Sequence, residues 1–332
     1  MLKRLAILII LGFMVFLSGC TKEDTDDCVQ GIQLRFTYML NNQQTNLFGA
    51  KVGMITVYVF DQAGKYVDTF SSKGVDLTND YVMTLPLKSG EYSFIALGGD
   101  LQTYRVGEMF DSQTHKFVPE LVKGKTSIED FSFLLDDNPP ADQPVTLNDE
   151  ISHLFHGLLT HFVAPPGKKS SATIDLIKDT KTINVHIIGV SYLDQMISKG
   201  IGNRTDFSNF FDIHVASKNG RYIYDNTIDS YAHPLIYKFR QATVLNDTLK
   251  TNTRVLRLMA ENDPSELHVS YPGNDSFYSV NMVNEIKKIP QYSDQEDFDR
   301  EDEFTFEIKI DPSLSVTITI NGWVIQSIVP NN

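Results

Sequence analysis

The side chains of this chain most able to do chemistry gather in three stretches. The segment HLFHGLLTH places His153, His156 and His161 within nine residues. Imidazoles three positions apart on one helical face could share a zinc ion. Gly157 and the strand-like residues around it argue against a regular helix, so loop or partly buried imidazoles with ordinary hydrogen bonds are the plainer expectation. A second stretch, SDQEDFDREDEF, carries Asp294, Glu296, Asp297, Asp299, Glu301, Asp302 and Glu303. Oxygen-rich loops of this kind can hold calcium, but the ordered spacing of a calcium loop with its central Gly is missing. A solvated loop, or a helix end leading into the strand FTFEIKI, is expected instead. The sequence has no G-x-S-x-G elbow, no phosphate-binding G-x-x-x-x-G-K, no H-E-x-x-H and no C-x-x-C. Four common routes to catalysis therefore lack support. No catalytic residue, metal or cofactor is assigned, and the chain is read as a non-enzyme.

The third stretch is LSGCTKEDTDDC, from Leu17 to Cys28. The run Leu5–Leu17 before it is apolar apart from Gly12 and is led by Lys3 and Arg4. At roughly 20 apolar residues for a transmembrane helix, this run is too short to span, and it ends in small residues as a cleaved signal does. Leu-Ser-Gly-Cys resembles a bacterial lipobox, in which the Cys20 thiol is acylated and becomes the first residue after cleavage. Residues 1–19 are thus read as a lipoprotein signal peptide and 20–30 as an acylated tether. Loss of Lys3 and Arg4 leaves 27 basic against 42 acidic residues, a formal charge of −15. A chain of that balance repels phosphate backbones, which excludes nucleic acid as a partner. With Cys20 acylated, Cys28 is the one remaining thiol and no intramolecular disulfide can form. Stability must come from apolar burial, and about 300 residues suffice for two domains.

The elements that would position these groups read as strands. IQLRFTY alternates Ile32, Leu34, Phe36 and Tyr38 with Gln33, Arg35 and Thr37, the period of a half-buried strand. MITVYVF from Met54 runs into a turn at Asp61 and Gly64 and resumes extended, as a hairpin does. YVMTLPL reaches a second turn at Lys88-Ser89-Gly90 before another β-rich run. Short strands separated by turns argue for sandwiches. LDDNPPADQPV from Leu135 and APPGKKSSA from Ala164 are candidate connections, because Pro cannot continue a helix or sit in a central strand. The second of these lies near the middle of the mature chain and is taken as the junction, giving domains 31–166 and 167–332. Short helices are expected at YLDQMIS and FYSVNMVNEIKKI. The 14 Tyr and 21 Phe could stack on sugars, but in a sandwich aromatics first serve the core and cross-strand pairs.

Taken in order, the lipobox, CVQGIQLRFTYMLN, VYVFDQAGKYV, LPLKSGEYSFIALGG, LFHG, IDLIKDTKTINVHI, DFDREDEF and the terminal INGW resemble the FimB-type fimbrial anchor family of Bacteroidota. These pieces extend from Cys28 to Trp323. The resemblance implies an all-β fold with a few short helices, built as two tandem transthyretin-like β-sandwich domains. It implies a structural role at the base of a type V pilus, with fimbrial stalk pilin subunits as partners. Cys20 would be attached to the outer membrane, surface-exposed, and the subunit could regulate fimbrial length. Lys22, Glu23 and Asp24 resemble the signal that sends lipoproteins of that phylum to the outer face of the outer membrane. Stalk pilins of the class lose their first strand to an arginine-directed protease, whereas an anchor keeps it. No Arg occurs between Arg35 and Arg105, which favours the anchor over a stalk or tip pilin. A surface glycan-binding lipoprotein is the alternative from a different class.

The C-terminal segment VTITINGWVIQSIVPNN alternates Val316, Ile318 and Ile320, turns at Asn321-Gly322, and ends with Trp323, Val324, Ile325, Ile328 and Val329. Ordinary termini are polar and frayed unless something ties them down. These residues are therefore expected either to complete their own sandwich or to contact a neighbouring subunit as an added strand.

Overall fold

The computed structural model describes residues 31–74, 76–109, 117–135, 144–192, 210–271, 274–313 and 315–328. The signal peptide and tether expected over 1–30, with Cys20, Lys22, Glu23 and Asp24, lie outside the described residues, as does Val329. The chain first forms β1 (Ile32–Thr37), β2 (Met54–Asp61), β3 (Tyr66–Lys73), β4 (Val82–Leu85) and β5 (Gly90–Gly98). Next come β6 (Tyr104–Met109), β7 (Phe117–Val118), β8 (Phe131–Leu135), β9 (Val145–Leu147) and β10 (Phe155–Ala164). β11 (Ser170–Asp175), β12 (Ile177–Lys178) and β13 (Thr180–Ile188) follow with almost no break. After them lie β14 (Asp212–Ser217), β15 (Arg221–Ile223), β16 (Leu235–Lys238), β17 (Thr243–Leu245) and β18 (Thr248–Leu256). The last are β19 (Glu266–Tyr271), β20 (Asn274–Asn281), β21 (Glu303–Ile310), β22 (Val316–Ile320) and β23 (Trp323–Ile328).

The first sandwich packs the sheet β11-β1-β4 on the sheet β12-β10-β5-β2-β3. β1 follows the period of two read from its sequence: Ile32, Leu34 and Phe36 face inward while Arg35 is exposed. They meet Val57, Val59, Phe94 and Phe155 of the facing sheet in one core. Each of these large side chains contributes about 1.5–3 kcal/mol by leaving water. β2 is different, since the unbroken run ITVYVF is buried on both faces. Its second face, with Tyr58 and Phe60, packs under Phe131, Phe133 and Leu135 of a third sheet, β15-β8-β6-β7. This explains a sequence in which apolar residues do not alternate: a strand covered on both sides has no polar face.

The second sandwich packs the sheet β20-β19-β14-β16-β9 on the sheet β17-β18-β13-β21-β22-β23. Its core includes Ile183, Val185, Ile187, Val215, Leu267, Val269, Phe304, Phe306 and Ile308, and is continuous with the layer above β2. The two halves also exchange strands. β9, from before the middle of the chain, pairs in parallel with β16, and β15, from after it, pairs with β8.

The boundary expected at 166/167 is corrected by these pairings. β11 runs parallel to β1, and β12 pairs with β10, so the chain through Lys178 completes the first sandwich. Pro165, Pro166 and Gly167 form a turn within that sandwich, with Gly167 at φ +68°, which glycine adopts without steric cost. The sheets change at Asp179. Of the two short helices expected, one is found over Met282–Ile286, N-capped by Asn281. The segment YLDQMIS lies outside the described residues beyond Tyr192.

Candidate functional site

The three histidines are not brought together. His156 and His161 lie on β10, and His153 just precedes it, so no helical face exists for them to share. His156 is buried, stacks on Phe133 with ring centroids 5.9 Å apart, and bonds the Tyr224 carbonyl at 2.9 Å. Burial pushes its imidazole down to about 4. Burial, with Lys178 next in weight, likewise holds His153 at about 4, and its Nδ1 lies 3.3 Å from Thr180 Oγ1. His161 is exposed at a bulge, with φ +56°, and pairs with Glu91 at 2.7 Å. Among the described residues, no group of three or more His, Cys, Asp or Glu is arranged to hold a metal.

The acidic run is not a calcium loop. It forms the short helix Gln295–Arg300, started by a capping box in which Asp294 accepts from the Asp297 N–H and Asp297 accepts from the Asp294 N–H. Glu296 and Asp297 pair with Arg300 on the surface. Asp299, Glu301 and Asp302 turn inward instead.

There they meet a junction that sequence reasoning missed. Lys178, Asp179, Thr180 and Lys181, the link from β12 to β13, are all buried, with relative exposures of 5, 0, 0 and 0 %. Lys178 Nζ donates to Asp302 Oδ1 at 3.0 Å, and Lys181 Nζ donates to the Asp299 and Glu301 carbonyls at 2.9 and 2.6 Å. Arg257 clamps Asp299 with two bonds, Nε to Oδ1 at 2.7 Å and Nη2 to Oδ2 at 2.6 Å. Asn226 Nδ2 donates to Asp179 Oδ1 at 2.8 Å, while Asp179 Oδ2 has no hydrogen-bond partner. Burial pushes Asp179 up to about 7 against the nearby Arg257, and lowers Lys181 to about 8. Asp302 is held below the usual carboxylate range: burial opposes its charge, but Lys178 outweighs it. Buried ion pairs of this kind add little net stability but impose one geometry, since breaking one leaves a buried charge. Here the geometry joins the two sandwiches. The one legible sign was that the extended pattern of IDLIKDTKTINVHI passes through these polar residues without a turn signal.

Both ends of the described chain are strands in place. β1 is central in its sheet, between β11 and β4, and Tyr38 beyond it reaches Asp302 of the second sandwich at 2.9 Å. β23 is an edge strand, paired with β22 from Ile320↔Trp323 to Val316↔Ile328. Trp323 and Val324 are 49 and 66 % exposed, and Ile325 is half-buried. Of the two expectations for the C-terminal segment, β23 is seen completing its own sheet.

Comparison with known proteins accords with this architecture. The family model described as fimbrillin-A associated anchor proteins Mfa1 and Mfa2 matches residues 24–329. The fimbrial anchor protein Mfa2 from Porphyromonas gingivalis superposes with a TM-score of 0.65 at 18 % identity, covering 90 % of this chain and 99 % of that one. A candidate polysaccharide-binding protein from Bacteroides thetaiotaomicron gives a TM-score of 0.70 at 22 % identity, covering 89 and 96 %. A candidate adhesin from the same organism gives 0.68 at 23 %, covering 89 and 97 %. No curated protein matches. These likenesses show a shared two-sandwich fold, and the match over nearly the whole chain shows the relationship: the protein belongs to the fimbrillin-A associated anchor protein family.

Proposed function

We propose that the protein is the membrane-proximal subunit of a fimbrium, acylated at Cys20 and held on the outer face of the outer membrane. Lys22, Glu23 and Asp24 direct its export, and its contact with the first stalk pilin is made by the C-terminal residues Trp323, Val324, Ile325, Ile328 and Val329. By ending the fimbrium at its base, the subunit also limits fimbrial length. The observation that supports an anchor over a stalk pilin is the first strand. β1 is the middle strand of its sheet and is tied through Tyr38 to the second sandwich, and no Arg lies between Arg35 and Arg105. Removing β1 would strip Ile32, Leu34 and Phe36 from the core. Attachment is assigned to lipid from the Leu-Ser-Gly-Cys motif ending at Cys20.

Two variants test this. Cys20→Ala is expected to lose acyl labelling and to leave the membrane fraction, because stable anchoring takes two lipid signals or more. A variant that stays membrane-bound without label would overturn the lipid assignment. At the other end, Val324→Lys alters an exposed edge position and should change stability by no more than about 0.5 kcal/mol. It is expected to stay lipidated while fimbriae appear in the medium. Fimbriae retained at parental levels on that variant would rule out β23 as the contact. Glycan-array binding by parental protein, with no fimbriae at its surface, would favour the glycan-capture alternative.

A further inference from the structure

We infer that β1 is a shear clamp, a strand whose pairing resists tension applied between the N-terminal segment and the second sandwich. Gly31, where the described chain enters β1, sits at one pole of the first sandwich beside Leu87, Lys88, Ala164, Pro165 and Gly167. The opposite end of β1 meets the second sandwich, where Tyr38 bonds Asp302 at 2.9 Å and Asn42 Nδ2 bonds Glu301 Oε1 at 2.6 Å. A pull on Gly31 away from the second sandwich is therefore directed along the strand axis.

The partners of β1 are arranged to oppose that pull. β11 runs parallel to it in register from Ile32↔Ser170 to Thr37↔Asp175, and its far end continues through β12 into β13 of the second sandwich. β4 flanks the other side, from Ile32↔Leu85 to Arg35↔Val82. Axial tension stretches the bonds of both ladders together, so β1 moves only if they fail as a group. At the far end the strand is secured further. The Thr37 hydroxyl donates to Asp175, the Leu176 N–H donates to the Thr37 carbonyl at 2.8 Å, and Asn41 Nδ2 caps the Tyr38 carbonyl at 2.8 Å. Ile32, Leu34, Phe36 and Tyr38 are all buried, so sliding also drags apolar side chains through a packed core. The C-terminal hairpin has the contrary geometry. β22 and β23 are joined at Asn321-Gly322 and open at Val316 and Ile328, so tension on the C-terminus breaks their bonds one after another.

Constant-force measurements on single molecules test this with the full mature chain, carrying Cys20→Ala and Cys28→Ser, and with Lys250→Cys on β18 as the shared attachment point. Pulling from the N-terminus is expected to give a longer lifetime before the first rupture than pulling from the C-terminus. Thr37→Val, which removes one hydrogen bond of the clamp, is expected to shorten the N-terminal lifetime about fivefold. It should leave the C-terminal lifetime unchanged. An N-terminal lifetime equal to or shorter than the C-terminal one would overturn the inference. So would a Thr37→Val effect of the same size in both directions, which would mark a general loss of stability. The use of the clamp in the cell rests on the anchoring reading, because a lipid at Cys20 is what would deliver tension to Gly31. The measurement uses unlipidated protein, so its outcome is separate from that of the acyl-labelling test.

Discussion

The hydroxyl of Tyr38 donates to Oδ1 of Asp302 at 2.9 Å, joining residues 264 positions apart. Tyr38 is fully buried and meets Phe155 edge-on, with ring centroids 5.2 Å apart. Burial first, and Asp302 second, hold its hydroxyl protonated far above the usual range for tyrosine. The bond therefore has a permanent donor and an ionised acceptor, and it links the end of the first strand to the start of β21. It shares this junction with the bonds from Asn42 to Glu301 and from Lys178 to Asp302.

Tyr38→Phe keeps the ring and removes the donor. It is expected to cost about 1.5–3 kcal/mol, the range for a hydrogen bond to a charged group. Urea denaturation of Tyr38→Phe, Asp302→Asn and the double variant measures the coupling. Strictly additive losses would show that the two groups do not act together.

Arg257 and Asp299 form a buried bidentate pair, with side chains 8 and 3 % exposed. Arg257→Met leaves Asp299 buried without its cation and is expected to cost about 3–5 kcal/mol. Arg257→Met with Asp299→Leu removes both charges and should recover most of that loss. The four denaturation midpoints of the cycle decide it, and a double variant no better than the single one would place the energy elsewhere.

Asp179 gives a pH signature. Its carboxyl rises from 3.8 to about 7 on folding, chiefly through burial. Between about pH 4 and pH 7 the folded state binds more protons than the unfolded one, so this stability is present in acid and lost as pH rises through 7. Asp179→Asn abolishes the titration and can still accept from Asn226. Relative to the parent, it should gain about 2 kcal/mol between pH 5 and pH 8. Parallel stability curves for the two proteins would contradict the assignment.

His156 has the opposite sign. Burial lowers it from 6.5 to about 4, so the unfolded chain binds the extra proton in that window. The stability it contributes is present above about pH 6.5 and is lost as pH falls through 4. His156→Gln retains a donor for the Tyr224 carbonyl without the titration. Between pH 7 and pH 4.5 the parent should lose about 2 kcal/mol more than this variant, read from urea midpoints.

Much of the fold is written locally. Alternation in IQLRFTY sets which face of β1 is buried, because neighbouring side chains on a strand point to opposite sides. Asp61 and Gly64 mark the turn between β2 and β3, and Asn321-Gly322, both at positive φ, mark the turn between β22 and β23. These signals depend on adjacent residues and need no knowledge of the partner strand. A capping box likewise lies within a few positions, although Asp294 and Asp297 were legible only as members of an acidic run.

What only the tertiary structure decided is where distant segments meet. The Pro-rich turn at 165–167 looked like a boundary because its residues cannot continue a strand, yet the next strand returns to β1 and completes the first sandwich. Lys178, Asp179 and Lys181 stand in an extended stretch that names none of their partners. Lys178 and Lys181 are buried because the carboxylate of Asp302 and the carbonyls of Asp299 and Glu301 arrive from more than a hundred positions away, and Asp179 is met by Asn226 from 47 positions away. A charge is affordable in an interior only when its partner is already there. That condition belongs to the assembled fold, and no local pattern of side chains can state it.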